Sequence, residues 1–515
     1  MMDPQGKTVI VVGLGASGVA AARLCLRYGA VRVIANDAAP RERLSAEAIG
    51  LGSEPGVELV AGGHDGVAWG RADLVVVSPG VRPLAAWDDA ERAGVPVVGE
   101  LEFAWSLAGG VPTVAVGGTN GKSTTTVLVG EMLRRAFGRV FVGGNLGTPL
   151  ASALPGRGEA PPFDALVLEV SSFQAERMKR FRPQAAALLN VTADHLDRYP
   201  SFEAYAAAKG RMFAQMGPSD VAVVPAGDAV CLAEARRGEA RVVTFGPGGA
   251  VEPEAGGVVD RARGERYEAS VIALKGEHNL LNASAAVALA AAMGAGREAI
   301  AGALASIGPL PHRVELVGER GGVRYYDDSK GTNVGASVAA LRGLAEARCV
   351  LIAGGRDKGG DYGPLVEALR AKGRALVLIG EAAERIERAA GGSLPVERAS
   401  SMDDAVARAS RLAEPGDAVL LSPACSSFDM FRDYHDRGQA FARAVRALGV
   451  PTPLAPLPGE GGKEGAAAPP LPGEKRSEGA AAPPLPGERR SEGAAAPPLP
   501  GEGGPGGVGR SGAGS

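Results

Sequence analysis

The run Gly117-Gly118-Thr119-Asn120-Gly121-Lys122-Ser123-Thr124 lies between an apolar stretch at 112–116 and a helix-like stretch at 127–135. A strand, a glycine loop, Lys-Ser and a helix start together make a phosphate cradle. Backbone N–H groups freed by the glycines and the positive end of the helix dipole point at phosphate oxygens. Lys122 reaches the outer phosphates and the Ser123 hydroxyl can ligate Mg²⁺. The residue six before Lys122 is Val116, so the first glycine comes one place later than G-x-x-x-x-G-K-[ST] asks. The loop is a variant that predicts a nucleoside triphosphate site; the bland alternative is a glycine turn that happens to carry Lys-Ser.

A second glycine loop, Gly13-Leu14-Gly15-Ala16-Ser17-Gly18, follows a strand and opens a helix, with Asp37 ending the next strand. Taken alone this is the dinucleotide fingerprint and says NAD. Physically it supplies a diphosphate seat at a helix N-terminus and an acceptor for a sugar hydroxyl or a base N–H, so any nucleotide diphosphate fits. Ser78-Pro79-Gly80 ends another strand and is either a second ligand loop or a plain turn.

Further along, Glu169 and His195 fall at the ends of strand-like runs at 165–170 and 185–191, where oxygen and imidazole ligands suit a Mg²⁺ bridging substrate phosphates. An exposed strand-end carboxylate is the alternative for Glu169. Lys209, in Ala-Tyr-Ala-Ala-Ala-Lys-Gly-Arg, has the pattern of a surface helix lysine. Asn279 and Asn282 share a helix face, and His312-Arg313-Val314-Glu315 occupies a linker; both sets could be caps. Three polar loops then follow strands, at 327–333, 354–360 and 422–429, and suggest a carboxylate-binding cleft facing the phosphate site.

These loops need strands and helices to hold them. From 7 to about 99 short apolar strands (8–12, 31–35, 74–77, 95–98) surround a helix at 18–28. From about 102 the phosphate loop, the runs at 165–170 and 185–191 and an Ala-rich helix at 282–293 form a second unit. After Pro309 and Pro311 strands at 349–353, 375–379 and 418–421 form a third. The fold class is therefore α/β with three domains: a Rossmann-like N-terminal domain (1–100), a central P-loop-type ATP-binding domain (101–308) and a Rossmann-like C-terminal domain (309–450). From 451 to 515 Pro-Leu-Pro-Gly-Glu recurs at 456, 470, 484 and 498. One leucine per repeat cannot offset chain entropy, so a disordered tail is expected.

With 515 residues, 45% of them hydrophobic, and no apolar run long enough to span a bilayer, the chain is expected to be soluble, with no membrane partner. Its N-terminal residues lack a basic, then apolar, export pattern, so the cytoplasm is expected. Cys25, Cys231, Cys349 and Cys425 have no ligand-like spacing and read as buried free thiols. A net charge of −3 without a basic block argues against nucleic acid and favours small-molecule substrates.

Thr-Asn-Gly-Lys-Ser-Thr, Glu-Val-Ser-Ser-Phe-Gln, Asp-His-Leu-Asp-Arg-Tyr, His-Asn-x-x-Asn-Ala, His-Arg-Val-Glu, Asp-Ser-Lys-Gly-Thr-Asn and Ser-Pro-Ala-Cys-Ser-Ser-Phe-Asp occur in this order. Over residues 7–448 the chain resembles the Mur ligases of bacterial peptidoglycan synthesis, most closely the branch that adds D-glutamate to UDP-N-acetylmuramoyl-L-alanine. The resemblance implies that ATP phosphorylates the muramoyl-alanine carboxylate and that the amino acid's amine attacks the acyl phosphate.

It reassigns the first domain from NAD to the UDP-sugar, with Gly15, Ser17, Asp37, Ser78 and Gly80 near the uridine diphosphate, joined by Asn145. Asp37-Ala38-Ala39 departs from the commoner Asp-Thr-Arg, which puts one hydroxyl contact in doubt. The resemblance implies ATP contacts from Gly117 through Thr124 and from Asn279, Arg313 and Asp328. It further implies Lys122 as the group stabilising the migrating phosphoryl, and Ser123, Glu169, His195 and a carbamate formed from CO₂ on Lys209 as Mg²⁺ ligands, with Lys122, His195 and Lys209 catalytic. Lys330, Thr332, Lys358, Ser427 and Phe428 match positions around D-glutamate, with Tyr434 at a neighbouring aromatic position. The third domain would close onto the other two, and the enzyme is expected to be a monomer.

Three rivals remain. A sibling ligase or a folylpolyglutamate synthase would use another amino acid. An NAD-dependent oxidoreductase would leave the phosphate loop, Glu169 and His195 idle. A non-catalytic nucleotide sensor would have no need of the third-domain cleft.

Overall fold

The computed structural model describes residues 2–449, so the expected disordered tail lies outside the described residues. Three sheets follow one another along the chain. The first is wholly parallel, β1 (Thr8–Val12), β2 (Arg32–Asp37), β3 (Val57–Ala61), β4 (Leu74–Val77) and β5 (Val97–Gly99), in the order β3-β2-β1-β4-β5. Its middle strand is apolar on both faces, as a parallel strand covered by helices on each side must be. Val9 and Val11 share a core with Leu24 and Cys25 of the helix Ala16–Arg27, while Ile10 and Val12 pack with Trp87 and Ala90. Each such fully buried Val or Leu contributes about 1.5–3 kcal/mol over leaving it exposed.

The second sheet comprises β6 (Thr113–Gly117), β7 (Val140–Gly144), β8 (Ala165–Glu169), β9 (Ala185–Leu188), β10 (Val221–Pro225), β11 (Arg241–Phe245), β12 (Val251–Glu254), β13 (Gly257–Asp260) and β14 (Glu265–Glu268). The order is β14-β13-β12-β11-β10-β9-β6-β8-β7, which sets β6 between β9 and β8. That order reverses at β6, and at such a switch point ligand crevices form outside the carboxyl ends of the strands. Val114 and Val116 of β6 pack on Leu128, Val129 and Met132 of the helix Lys122–Phe137, fixing the helix that begins at Lys122.

The third sheet runs β15 (Glu315–Arg320), β16 (Val323–Asp327), β17 (Cys349–Gly354), β18 (Gly373–Ile379), β19 (Val396–Arg398) and β20 (Ala418–Leu421), ordered β15-β16-β20-β17-β18-β19. Only β15 is antiparallel to its neighbour. All four cysteines are buried and free, Cys25 under the first sheet, Cys231 beside the second, Cys349 and Cys425 in the third.

The sequence reading named neither several edge strands nor the interior strands β10, β11, β12 and β16. Strand β3 was not anticipated, because an edge strand is only half-buried and its alternation Val57, Leu59 is interrupted by Glu58. The edge strands β14 and β15 are largely exposed and polar and lacked an apolar signal for the same reason. The run at 185–191 leaves the sheet after Leu188, because Asn190 turns away to brace the phosphate loop.

Candidate active site

The phosphate loop leaves β6 and turns into the helix Lys122–Phe137 through Gly121, whose φ of +84° is a left-handed conformation. A Cβ there would also stand 2.3 Å from Asn282 Oδ1, so both backbone and space require glycine. The loop is braced from β9: Thr119 N–H donates to Asn190 O (3.0 Å), Asn120 N–H to Asn190 Oδ1 (2.8 Å), and Asn190 Nδ2 donates back to Asn120 O (3.1 Å). Lys122 Nζ donates to Thr119 O at 2.8 Å, folded over its own loop. Burial lowers its ammonium pKa, with Glu169 acting in the opposite direction.

A cavity of ≈ 980 Å³ opens at this point, lined by residues of the second and third sheets and of the linker between them. Thr119 through Thr124, Glu169, His195, Lys209, Asn279, Arg313, Asp328, Lys330, Thr332, Lys358, Ser427 and Phe428 all line it. Gly117 and Gly118 lie beneath, Gly117 as the last residue of β6. Asn279 Nδ2 donates to Lys275 O, and Arg313 donates to Ser123 Oγ at 2.9 Å across the linker. Lys330 Nζ stands 3.6 Å over the Tyr434 ring, and burial lowers its pKa to about 8. The Phe428 side chain is exposed at the rim.

Glu169 is buried at the end of β8. Oε1 accepts from Asn145 Nδ2, while Oε2 has no partner. Burial would raise this carboxyl, but Lys122 and Lys330 outweigh it and hold the group ionised. An ionised, buried oxygen without a partner is costly unless a cation satisfies it. His195 has a φ of 55° and its ring lies 4.7 Å from that of Phe173. Burial pushes its pKa down to about 4, which leaves a neutral imidazole with a lone pair. The Ser123 hydroxyl, the Glu169 carboxylate and the neutral His195 imidazole, all lining this cavity, are donors of the types a Mg²⁺ beside phosphates can take.

Lys209 is not the surface lysine its residue pattern suggests. It is buried, donates to Gly118 O at 2.8 Å and sits 4.6 Å over the Tyr205 ring. The helix Phe202–Gly210 turns this residue inward against the phosphate loop and buries it with Tyr205, Ala206 and Ala208. Burial first, and then Lys122, pulls its pKa well below the ordinary lysine value.

Two site residues lie outside the earlier reading. Asp194 is buried beside His195, accepts from Lys358 Nζ (3.2 Å) and Asn333 Nδ2 (3.4 Å), and is held ionised by Lys358 against its burial. Asn333 caps the helix Val334–Gly343 and also donates to Asn120 Oδ1 at 3.0 Å, so the third sheet reaches the phosphate loop directly. Both lay inside quoted motifs, one place from His195 and one from Thr332, and only their contacts across the cavity distinguish them.

Gly15, Ser17, Asp37, Ser78 and Gly80 gather instead at the carboxyl edge of the first sheet. Gly15 caps the helix Ala16–Arg27, with Ser17 in its first turn. Asp37 Oδ2 accepts from Leu14 N–H (2.6 Å) and Oδ1 from Ala39 N–H (2.8 Å), while Ser78 Oγ donates to Gly13 O (2.7 Å). A Cβ on Gly18 would lie 1.8 Å from Gly13 O, so the helix can approach the loop only with glycine there. Asn145 is the exception among the residues assigned to the sugar nucleotide: it lines the central cavity against Glu169.

Three domain families match the chain: a Mur ligase MurD-like N-terminal domain over residues 7–99, a Mur ligase middle domain over 116–290 and a Mur ligase glutamate ligase domain over 312–425. The UDP-N-acetylmuramoylalanine–D-glutamate ligase of Anaeromyxobacter dehalogenans is 48% identical over 457 residues, covering 85% of this chain and 97% of the relative. The ligase of the same name from Myxococcus xanthus is 44% identical over 459 residues, covering 86% and 99%. Among solved structures, the UDP-N-acetylmuramate–alanine ligase MurC of Thermotoga maritima superposes with a TM-score of 0.55 at 20% identity, covering 86% of this chain and all of that one.

Proposed function

The chain belongs to the Mur ligase family, and on that premise we infer that it is the ATP-dependent ligase that joins D-glutamate to UDP-N-acetylmuramoyl-L-alanine in peptidoglycan precursor synthesis. The observation that carries the site assignment is the single cavity where the phosphate loop, the cations Lys330 and Lys358 and the linker residue Arg313 meet. Cations brought to one cavity from two sheets and the linker suit a polyphosphate and a dicarboxylate together.

In this reading ATP lies along Gly117 through Thr124, with the N–H groups at the start of the helix Lys122–Phe137 on its phosphates, Lys122 on the migrating phosphoryl, Arg313 and Asn279 beside the nucleotide and Asp328 at the ribose. Asp328, pushed up to about 7 by burial and partnered by Ser422, is suited to share a proton with a hydroxyl. Mg²⁺ held by Ser123, Glu169, His195 and a modified Lys209 would neutralise phosphate charge during transfer. The neutral amine is the form that attacks CO₂, and the lowered pKa of Lys209 raises its share. This favours a carbamate, whose two oxygens would add anionic ligands where an ammonium repels metal.

Lys330 and Lys358 carry the charge for the two carboxylates of D-glutamate, and Thr332, Ser427 and the Phe428 backbone supply further donors. Asp194 already neutralises Lys358 from the phosphate side, so the amino acid seats only where both domains meet. The UDP-sugar lies at the first sheet's carboxyl edge and extends its lactoyl-alanine carboxylate into the cavity. We draw the domains at 1–100, 101–308 and 309–450. The nucleotide substrates support a cytoplasmic site of action; among the described residues no helix is long and apolar enough to cross a membrane.

The test is steady-state ADP release with UDP-N-acetylmuramoyl-L-alanine and a panel of amino acids. D-Glutamate should exceed D-alanine by about a thousandfold or more in kcat/KM, because buried donors stay unmatched without the side-chain carboxylate. Comparable turnover of D-glutamate, L-glutamate and D-alanine would show the substrate to be misassigned.

A further inference from the structure

Arg313 is bracketed by two residues in the left-handed region, His312 at φ 59° and Val314 at φ 49°. Neither is glycine, and Val314 is β-branched, so this conformation persists only where neighbours over-determine it. The neighbours are specific. His312 N–H donates to Glu315 Oε2, Lys330 N–H donates to His312 O at 3.2 Å, and Val314 N–H donates to the Asp328 carboxylate. The imidazole Nδ1 of His312 lies 2.7 Å from Asp327 Oδ2.

Asp327 is almost wholly buried at the end of β16 and uses its other oxygen as well: Oδ1 accepts from Ser329 N–H at 2.8 Å. Ser329, one residue before Lys330, donates through Oγ to Tyr434 O and accepts there from Arg437 Nε at 3.0 Å. Arg437 is fully buried. It donates to Ser329 O (2.9 Å) and to Cys425 O (3.2 Å), two residues before Ser427. The helix Tyr434–Ala447 can lie this close only because residue 438 is glycine: a Cβ there would come within 2.3 Å of His312 Nδ1 and 2.6 Å of Asp327 Oδ2.

We propose that Asp327 is a positioning residue which, with Arg437, ties the strained linker that aims Arg313 at the nucleotide to the two loops that carry Lys330 and Ser427. A buried network whose members are all satisfied has one low-energy arrangement. Through it the nucleotide arginine and the D-glutamate loops are held in register, so that each substrate finds its groups set when the other has bound. This rests on the assignment of Arg313 to ATP and of Lys330 and Ser427 to D-glutamate.

Steady-state kinetics of the full-length enzyme test it. Asp327→Ala should raise KM for both ATP and D-glutamate by about tenfold, leave KM for UDP-N-acetylmuramoyl-L-alanine within about twofold, and be largely rescued in Asp327→Asn, which keeps the acceptor for Ser329. Arg437→Lys keeps a charge but loses donors on the loop side, and should raise KM for D-glutamate alone. Gly438→Ala, which removes no partner and pushes a methyl onto the pair, should reproduce the Asp327→Ala pattern and decides the matter if Asp327→Ala does not fold. Unchanged KM values in Asp327→Ala or Gly438→Ala, or an equal rise for all three substrates, would overturn the proposal. If Lys330→Ala left KM for D-glutamate unchanged, the underlying site assignment would fail instead.

Discussion

At the carboxyl edge of the first sheet Asp37 gives both carboxylate oxygens to backbone N–H groups and Ser78 closes onto Gly13 O. In the central cavity Glu169 keeps one oxygen without a partner, Lys122, Lys209 and Lys330 are pulled below their ordinary pKa, and Asp194 draws Lys358 and Asn333 from another sheet. The first region is finished before any ligand arrives and serves as a shelf. The second holds unsatisfied charge that ligands must complete, as a centre built to stabilise developing charge does. Mutations should therefore read out as changes in sugar-nucleotide binding on the shelf, and in the cavity as changes in turnover or in the handling of ATP and D-glutamate.

The sharpest break of that contrast is Lys122→Ala, expected to lower kcat by about a thousandfold with the Kd for UDP-N-acetylmuramoyl-L-alanine unchanged by calorimetry. An equal loss of sugar-nucleotide binding would merge the two regions. Lys209→Ala should cost about a hundredfold in kcat, far beyond any helix-propensity effect of about 0.7 kcal/mol or less. Part of it should return when a small carboxylate such as acetate is supplied, and full activity without acetate would remove the anionic role. On the shelf, Asp37→Ala should weaken the sugar nucleotide by about tenfold and leave ATP affinity alone, since the change is local to hydrogen bonds worth about 0.5–1.5 kcal/mol each.

The smallest effect concerns Lys330, whose pKa is near 8 because of its burial. Glutarate carries both carboxylates and no amine, so its Ki should rise about fourfold between about pH 7 and about pH 8.5 as the ammonium is lost. Folding stability should move the other way. From about pH 8 up to the ordinary lysine value the unfolded chain binds more protons than the folded one, so this group's penalty is present below that window and relieved as pH climbs through it. A Ki that stayed flat across this range would take Lys330 out of the carboxylate site.

Much of the cavity was legible beforehand because its residues sit in loops after strands, and a strand–glycine–helix pattern announces both the fold and the anion site at once. Gly13 to Gly18, Lys122 and Ser123 belong to this class. Lys209 was not legible from residue patterns: an alanine-rich helix with one lysine looks solvated, and only the packing of that helix under the phosphate loop buries it. That the Asn145 amide also meets Glu169 follows from β7 and β8 running side by side, a pairing that no local spacing announces. Asp194 and Asn333 pair across more than a hundred residues of chain, a relation no local spacing encodes.

The four buried thiols give the molecule an internal set of clocks. Burial raises Cys25 to about 12 and Cys425 to about 11, and pushes Cys231 and Cys349 up as well, so none presents a thiolate to an alkylating reagent while its surroundings stay closed. Because Cys25 lies under the first sheet, Cys231 beside the second and Cys349 and Cys425 within the third, the peptide that gains an alkyl group first in a timed pulse reports which third of the enzyme breathes first.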